Sequence, residues 1–292
     1  MIYDIRHVTT YNYESQVSFA RCSLRLEPIN SAGQQLVSHS VDIKPAPASR
    51  TMRTDFFGTR TETVLIENPH RVLRIDSRSR VYVERSTPGR GDDSPPWQTL
   101  RDASFDSSDL SAASPIGYVF ASPLVPILDD VTAYAAISFP DGRGILAGAV
   151  DLMHRIRTEF KYDPKATVIS TPLQEVLEKR HGVCQDFAHI MIAGMRGLGL
   201  PAAYVSGYLR TIPPPGKVRL QGADATHAWA SVWCGKRLGW IGFDPTNDIL
   251  VENDHIILAV GRDFSDVSPV DGVIVGSRKQ KLAVAVDVLL VE

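Results

Sequence analysis

Cysteine is scarce in this chain, and the few cysteines that occur do not have the pattern of a disulfide framework. The 292 residues include three cysteines, Cys22, Cys184 and Cys234. An odd number at wide spacing argues against a small fold held together by disulfides. Free thiols persist in a reducing compartment, so we expect a cytoplasmic protein.

Long apolar runs and an excess of one charge are also missing. No uncharged stretch approaches the roughly 20 apolar residues of a membrane helix. The first residues, Met1–His7, lack both the apolar run and the cleavage site of a signal peptide. The formal net charge is -2, and no basic stripe of the kind typical of nucleic-acid binders is visible. The sequence therefore predicts neither a membrane partner nor a nucleic-acid partner.

Alternating apolar and polar residues dominate residues 1 to about 85. Tyr3, Ile5 and His7 alternate with Asp4 and Arg6, and Pro, Gly and Asn separate the later runs. Short strands with such punctuation are typical of a β-sandwich. Residues 86–115 are rich in Ser, Pro, Gly and Asp, as a linker is. We therefore expect an N-terminal β domain with its linker at 1–115 and a second domain at 116–292.

Helical periodicity appears in the second half. Apolar residues recur every three or four positions over 145–160, and Thr171 followed by Pro172 is typical of a helix start, with Thr171 as N-cap. A further apolar stripe begins at Cys184 and stops near Gly197. Strand patterns return from Ala203 onward. The sequence therefore predicts an α+β fold.

Cys184 occupies the position where that last helix should begin. A cysteine attacks only as thiolate, and a free cysteine is mostly protonated at neutral pH. Unpaired backbone N–H groups and the positive end of the helix dipole stabilise an anion at a helix start. A neighbouring imidazolium would favour the thiolate further. Cys184 is therefore the candidate nucleophile.

A strand pair supplies the candidate base and its partner. Residues 226–234 and 237–244 alternate as strands, and Gly235-Lys236 has the length of a two-residue hairpin turn. That turn would place His227 opposite Asp244, with Cβ atoms about 5 Å apart on one face. A carboxylate there fixes the tautomer of the imidazole and supports its charge. A longer turn that uses Gly239 would shift this register.

Other interpretations of the same residues remain open. Cys184 alone resembles a small buried hydrophobe, and Asp244-Pro245-Thr246-Asn247 has the composition of a turn. A structural zinc and a catalytically inactive binding module are the rival functions. The residue types suited to zinc, at spacings that match no paired knuckle, are Cys184, His189, His227 and Cys234. The residues that suit a site lining and a cap or core position equally well are His181, Asp186, His189, Trp229 and Trp233.

Four segments together resemble the transglutaminase-like superfamily, above all its bacterial branch of candidate cysteine proteases. They are Thr171–Leu177, Gly182–His189, Thr226–Trp229 and Gly242–Thr246. Residues 1–84 resemble the N-terminal β domain of that branch, and Gly261–Val270 resembles its tail. The resemblance implies a papain-like core with a Cys-His-Asp triad, which falls on Cys184, His227 and Asp244.

The chain also departs from the animal members of that superfamily. Gln185 replaces the Trp that follows their cysteine, and no Trp lies between Trp97 and Cys184 to serve as oxyanion donor. We assign one oxyanion donor, the backbone N–H of Cys184. Their calcium sites have no counterpart here, so we expect no cofactor and no metal.

The expected reaction is thiol-dependent acyl transfer on amides. Hydrolysis of a peptide, isopeptide or small amide is the favoured outcome, and transglutaminase chemistry with an amine acceptor is the alternative. The expected partner is therefore a peptide, a protein or a small amide substrate. The sequence makes no prediction of the oligomeric state.

Overall fold

A computed structural model describes residues 1–86, 88, 89, 94–106, 108–211 and 225–291 of the chain. The strands of its N-terminal part are β1 (Ile2–Val17), β2 (Phe19–Leu24), β3 (Gln34–Lys44), β4 (Ser49–Thr54), β5 (Arg60–Ile66) and β6 (His70–Val83). The later strands are β7 (Lys161–Tyr162), β8 (His181–Gly182), β9 (Ala202–Leu209), β10 (Ala225–Trp233), β11 (Trp240–Asp244), β12 (Ile249–Leu250), β13 (His255–Gly261), β14 (Val270–Val275) and β15 (Gln280–Leu290).

The helices lie between these two groups of strands and among the later ones. They are α1 (Trp97–Phe105), α2 (Asp129–Ala136), α3 (Ile145–Glu159), α4 (Leu173–Lys179), α5 (Cys184–Gly197) and α6 (Phe264–Val267), with a 3₁₀ turn at Pro115–Tyr118. Within the described residues, no helix has both the length and the apolar character required to cross a bilayer.

Two four-stranded sheets form the N-terminal β-sandwich. Their strand orders are β15-β1-β6-β3 and β14-β2-β5-β4. Side chains from both sheets share one apolar core, including Cys22 and Val64 from one and Leu73 and Ile75 from the other. The predicted β-sandwich is therefore confirmed, and Cys22 packs in its interior as expected.

The C-terminal strands belong to the same sandwich. Strand β15 pairs with β1, where Leu290 lies opposite Tyr3, and β14 pairs with β2, where Val270 lies opposite Leu24. The sequence assigned these strands to the second domain, and the domain boundary itself remains a prediction. Helix α1 lies in the segment that the sequence predicted to be a linker, and it adds Trp97 to the core of the helical part.

Helix α5 is the centre of the transglutaminase-like part. It is buried from Asp186 to Arg196, because α2 and α4 cover it on one side and the sheet β12-β11-β10-β9-β13 on another. The approach of α2 is close, since a Cβ at Gly194 would lie 2.6 Å from the Cβ of Ala135. This packing holds the helix start that carries Cys184 against the sheet.

The predicted register of β10 and β11 is wrong by two residues. Trp233 pairs with Trp240 and Ala230 with Phe243. The turn is longer than expected because Gly235 and Gly239 both adopt positive φ, and the N–H of Gly239 donates to the carbonyl of Gly235 at 2.7 Å. A shift of two residues preserves the face on which each side chain lies. His227 and Asp244 therefore still share a face, as diagonal neighbours.

The predicted cap of α4 is also wrong. Pro172, not Thr171, is the N-cap residue, and no side chain caps the helix. The Thr171 hydroxyl instead accepts the N–H of Val168 at 2.9 Å, closing a turn before the helix. The inward-facing residues of α4 are as predicted: Leu173, Val176 and Leu177.

Candidate active site

Cys184 is the first residue of α5 and is partly exposed, whereas Cys22 and Cys234 are buried. Two residues on, Asp186 accepts the N–H of Val183 at 2.8 Å and so caps the helix. The hydroxyl of Thr167 donates to the same carboxylate oxygen at 2.6 Å. Burial raises the pKa of Asp186, although these hydrogen bonds oppose that rise. Asp186 therefore shapes the helix start rather than lining a cleft.

Gly182 permits this cap because it has no side chain. A Cβ there would lie 2.7 Å from Oδ2 of Asp186. The backbone of Gly182 is held by the parallel pairing of β7 with β8, in which it lies opposite Tyr162. Tyr162 is 48% exposed, and both burial and the neighbouring Cys184 raise its pKa. Tyr162 thus lies at the rim of the site, a position that the sequence did not suggest.

His227 lies between the thiol and a carboxylate. Its Nε2 is 2.8 Å from Oδ2 of Asp244, and Cys184 is near enough to the imidazole to raise the pKa of His227. Because Nε2 faces Asp244, Nδ1 is the nitrogen left for the sulfur. Burial lowers the pKa of His227, but the hydrogen bonds and charges of Asp244 and Cys184 outweigh burial and raise it above its usual value. The arrangement therefore favours an imidazolium beside the thiol.

Asp244 is fully buried, and both of its oxygens receive hydrogen bonds. Oδ1 accepts the N–H groups of Thr246 at 3.0 Å and of Asn247 at 3.2 Å. Oδ2 accepts the Asn247 amide at 2.7 Å, His227 at 2.8 Å and Nε2 of His255 at 3.2 Å. Burial raises the pKa of Asp244, yet these donors hold it below the usual range. The turn considered in the sequence is present, and it presents a charged carboxylate to His227.

The sequence analysis missed two residues of this site, Asn247 and His255. Asn247 was seen only as part of a turn, although its position three residues after Asp244 is a signal for side-chain capping. His255 begins β13, which the sequence pattern started at Ile256, and nothing local marks it as a partner of Asp244. Strands β10 and β9 lie between β11 and β13 in the sheet, so no predicted strand pairing would bring His255 to Asp244.

Of the remaining predicted lining residues, His189 and Trp233 pack on other aromatic rings, whereas Trp229 stays beside the site. His189 is buried against Tyr204, with ring centroids 4.9 Å apart, and its Nε2 accepts the N–H of Phe264 at 3.3 Å. Trp229 is buried, with its ring 5.2 Å from that of His255. Trp233 packs edge to face on Trp240. His189 is therefore structural, and Trp229 packs against His255 beside the site.

A metal fits this cluster poorly. In the described part of the chain, the one group of three candidate ligands with all ligand atoms within 4.8 Å of one another is His227, Asp244 and His255. Zinc bonds of about 2.0–2.2 Å in a tetrahedron separate ligand atoms by roughly 3.3 Å or more. The 2.8 Å between His227 and Asp244 is a direct hydrogen bond instead. The four residues suggested for zinc do not come together as a group.

The fold and this site define a class: α+β proteins with a thiol at a helix start beside a histidine–carboxylate pair. Two family models match the chain, the bacterial transglutaminase-like N-terminal region over residues 3–82 and the transglutaminase-like superfamily over residues 141–245. An uncharacterized protein of Mycobacterium tuberculosis H37Rv is 43% identical over 98% of this chain and 92% of its own length. The chain belongs to the bacterial transglutaminase-like family.

More distant relatives agree with this placement. A protein-glutamine gamma-glutamyltransferase of Pseudomonas aeruginosa is 28% identical over 109 residues, which cover 35% of this chain and 16% of that protein. A solved structure from Cytophaga hutchinsonii, described as a candidate cysteine protease, superposes with a TM-score of 0.73. It covers 100% of this chain and 92% of its own, at 20% identity, and so supports the fold.

Proposed function

We propose that this chain is a cysteine hydrolase of amides, in which Cys184 is the nucleophile, His227 the acid and base, and Asp244 the residue that orients His227. One observation carries the proposal: the imidazole of His227 hydrogen-bonds the buried Asp244 and lies near enough to the partly exposed Cys184 for that thiol to raise its pKa. An activated thiol needs a base within reach and a third group that fixes the base. Membership of the transglutaminase-like family supports the same assignment.

The proposed cycle begins with a thiolate and an imidazolium. The sulfur of Cys184 bonds to the amide carbonyl carbon, and the carbonyl oxygen becomes an oxyanion near the backbone N–H of Cys184. The C–N bond then breaks, and Nδ1–H of His227 protonates the leaving amine. A thioester remains on Cys184, with His227 neutral.

Water completes the proposed cycle. His227 removes a proton from the water as its oxygen bonds to the thioester carbon. The C–S bond breaks, which releases a carboxylic acid and restores the thiolate and the imidazolium. Asp244 stays ionised throughout and supports the charge on His227. We favour peptides, isopeptides or small amides as substrates, because each supplies the C–N bond that this cycle breaks.

Transglutaminase chemistry is the second candidate. An amine in place of water would resolve the same thioester, and the likeness to a protein-glutamine gamma-glutamyltransferase of Pseudomonas aeruginosa favours this outcome. That likeness covers 35% of this chain, so the acyl acceptor is open to experiment. We favour water because it is the more abundant acceptor.

A peptide library tests the proposal. The protein is incubated with the library, with and without a primary amine, and the products are identified by mass spectrometry. Two products whose masses together exceed that of the substrate by one water indicate hydrolysis, and a new amide to the added amine indicates transamidation. We expect no product with Cys184→Ala and a loss of about 10³–10⁴-fold with Asp244→Asn, since the wrong imidazole tautomer then faces the thiol.

The matched control is Asp129→Asn, at an exposed acid in the first turn of α2. It should turn over substrate at the wild-type rate. Absence of any product from the wild-type protein across peptide, isopeptide and small-amide substrates would favour the inactive binding module instead.

A further inference from the structure

His255 is a second histidine on Asp244. It is 1% exposed, and its Nε2 lies 3.2 Å from Oδ2 of Asp244. Its Nδ1 accepts the backbone N–H of Glu252 at 3.4 Å. Because a nitrogen that accepts carries no hydrogen, the neutral ring has its hydrogen on Nε2 and donates it to Asp244.

The surroundings of His255 keep it neutral. Burial lowers its pKa, and the charges of His227 and Arg85 act in the same direction, whereas Asp244 opposes them. These groups face His255 from β10, from the end of β6 and from β11, and Trp229 packs edge-on at 5.2 Å. A neutral donor orients the carboxylate without cancelling its charge, so the full charge remains for His227.

The N-terminal sandwich holds the segment that carries His255. The guanidinium of Arg85 donates to the carbonyls of Glu252, at 2.9 Å, and of His255 itself. The backbone N–H of Arg85 donates to the side chain of Asn253 at 2.8 Å. Arg85 is half-buried in this position, and that burial lowers its pKa to about 10. The guanidinium of Arg85 therefore holds the backbone carbonyls of Glu252 and His255 in place.

Gln34 holds the other end of the segment. Its amide pairs with the backbone of Ile257 in both directions, accepting the N–H at 2.7 Å and donating to the carbonyl at 2.7 Å. The same amide oxygen accepts from Arg85 at 2.8 Å. Gln34 is 4% exposed, and the pairing of β13 with β9 is irregular just beyond Ile257. Gln34 therefore supplies hydrogen bonds at the point where the sheet register changes.

We propose that the N-terminal β-sandwich positions the active site: Gln34 and Arg85 hold residues 252–257 so that His255 donates to Asp244 and aligns it with His227. His255 is then a positioning residue, and its effect on the reaction rests on the proposed function of Cys184, His227 and Asp244. The role of the sandwich is to fix the geometry of a carboxylate that its own residues do not touch.

The test measures the protonation of His227, because a merely structural contact would not change it. The ring nitrogens of His227 are titrated by nuclear magnetic resonance in the full chain carrying His255→Ala, His255→Gln or Gln34→Met. Without the His255 donor, Asp244 should lose its alignment with His227, and the measured His227 pKa should fall by about one unit, a tenfold change in proton affinity. His255→Gln retains an N–H donor and should recover most of the shift.

Gln34→Met keeps the size of the side chain and removes both hydrogen bonds to the backbone of Ile257. It should therefore lower the His227 pKa, as His255→Ala does. Gln35→Met is the matched control, since Gln35 is the exposed neighbour on β3. It should leave the titration unchanged. A wild-type titration of His227 in Gln34→Met, or in a folded His255→Ala, would overturn the proposal.

Failure of the proposed function gives a different result. In parallel, the rate at which iodoacetamide alkylates Cys184 is followed against pH in the wild-type protein. If Cys184 there reacts no faster than a buried thiol, the catalytic assignment fails, while the His227 titrations still decide the positioning role. If Cys184 reacts rapidly but the His227 pKa is the same in the wild-type protein, in His255→Ala and in Gln34→Met, only the positioning role is lost.

Discussion

At the scale of single residues, Asp244 determines what the site can do. It lies at the end of a strand, is fully buried, and yet remains charged because backbone and side-chain donors surround both oxygens. An uncompensated buried carboxylate would be neutral instead. Its charge is what makes His227 a stronger base than a buried histidine would otherwise be.

This pairing makes stability depend on pH in a specified direction. The folded chain holds the His227 proton more tightly than the unfolded chain, whose histidines titrate near about 6.5. The contribution of His227 is therefore complete below that pH and is lost as the pH rises through its raised pKa. Asp244, with its lowered pKa, contributes above the ordinary carboxyl value, about 3.9, and loses its contribution as the pH falls through that lowered pKa.

Urea unfolding from about pH 6 to about pH 10 measures the first of these effects. We expect the free energy of unfolding to fall with rising pH in the wild-type protein. In Asp244→Asn the fall should be smaller, since His227 loses the partner that raises its pKa. Equal slopes for the two proteins would show that His227 and Asp244 do not interact in the folded state.

At the scale of elements, the first turn of α5 depends on the glycine before it. Gly182→Ala places a Cβ 2.7 Å from Oδ2 of Asp186, so the carboxylate must leave the N–H of Val183. Loss of a helix cap costs about 1–2 kcal/mol. Thermal unfolding should show that destabilisation, and alkylation of Cys184 should slow because its helix start is displaced.

Gly117→Ala is the control for this substitution. A Cβ at Gly117 meets nothing within 4 Å, and its φ lies outside the left-handed region. It should unfold and react as the wild-type protein does. Equal behaviour of Gly182→Ala and Gly117→Ala would show that the Asp186 cap does not set the geometry of Cys184.

Local patterns predicted the elements of the site well, because the signals for them are local. Helix α5 begins at Cys184 as expected, and the hairpin of β10 and β11 places His227 and Asp244 on one face. The register was wrong because turn length depends on the positive φ of Gly239, which the sequence permits but does not require. His255 was missed because its contact with Asp244 joins side chains of β13 and β11, which are not neighbours in the sheet.

At the scale of the whole molecule, the chain ends join the two parts together. Strand β15 extends the first sheet of the sandwich, and its buried residues Val286 and Val288 share a core with Tyr208 and Ile256 of the transglutaminase-like part. No local pattern in the sequence predicts that β15 pairs with β1, because these strands lie at opposite ends of the chain. A cytoplasmic location remains a prediction.

This shared core gives a prediction for the stability of the whole chain. Val288→Ala removes two buried methyl groups from the junction, so we expect a loss of about 1–3 kcal/mol in the free energy of unfolding. Leu289→Ala is the control on the same strand, because Leu289 is 49% exposed and should change stability little. Equal losses for the two variants, measured by urea unfolding, would show that the strand does not bury Val288 in a shared core.

The claim that Cys184, His227 and Asp244 act as one unit is tested most directly by the alkylation of individual cysteines. Burial raises the pKa of Cys22 to about 11 and of Cys234 to about 12, so both should react slowly with iodoacetamide near neutral pH. We predict that peptide mapping by mass spectrometry finds Cys184 alkylated first in the folded wild-type protein, and that His227→Ala removes this preference. Slow and equal alkylation of all three cysteines in the wild-type protein would contradict the account.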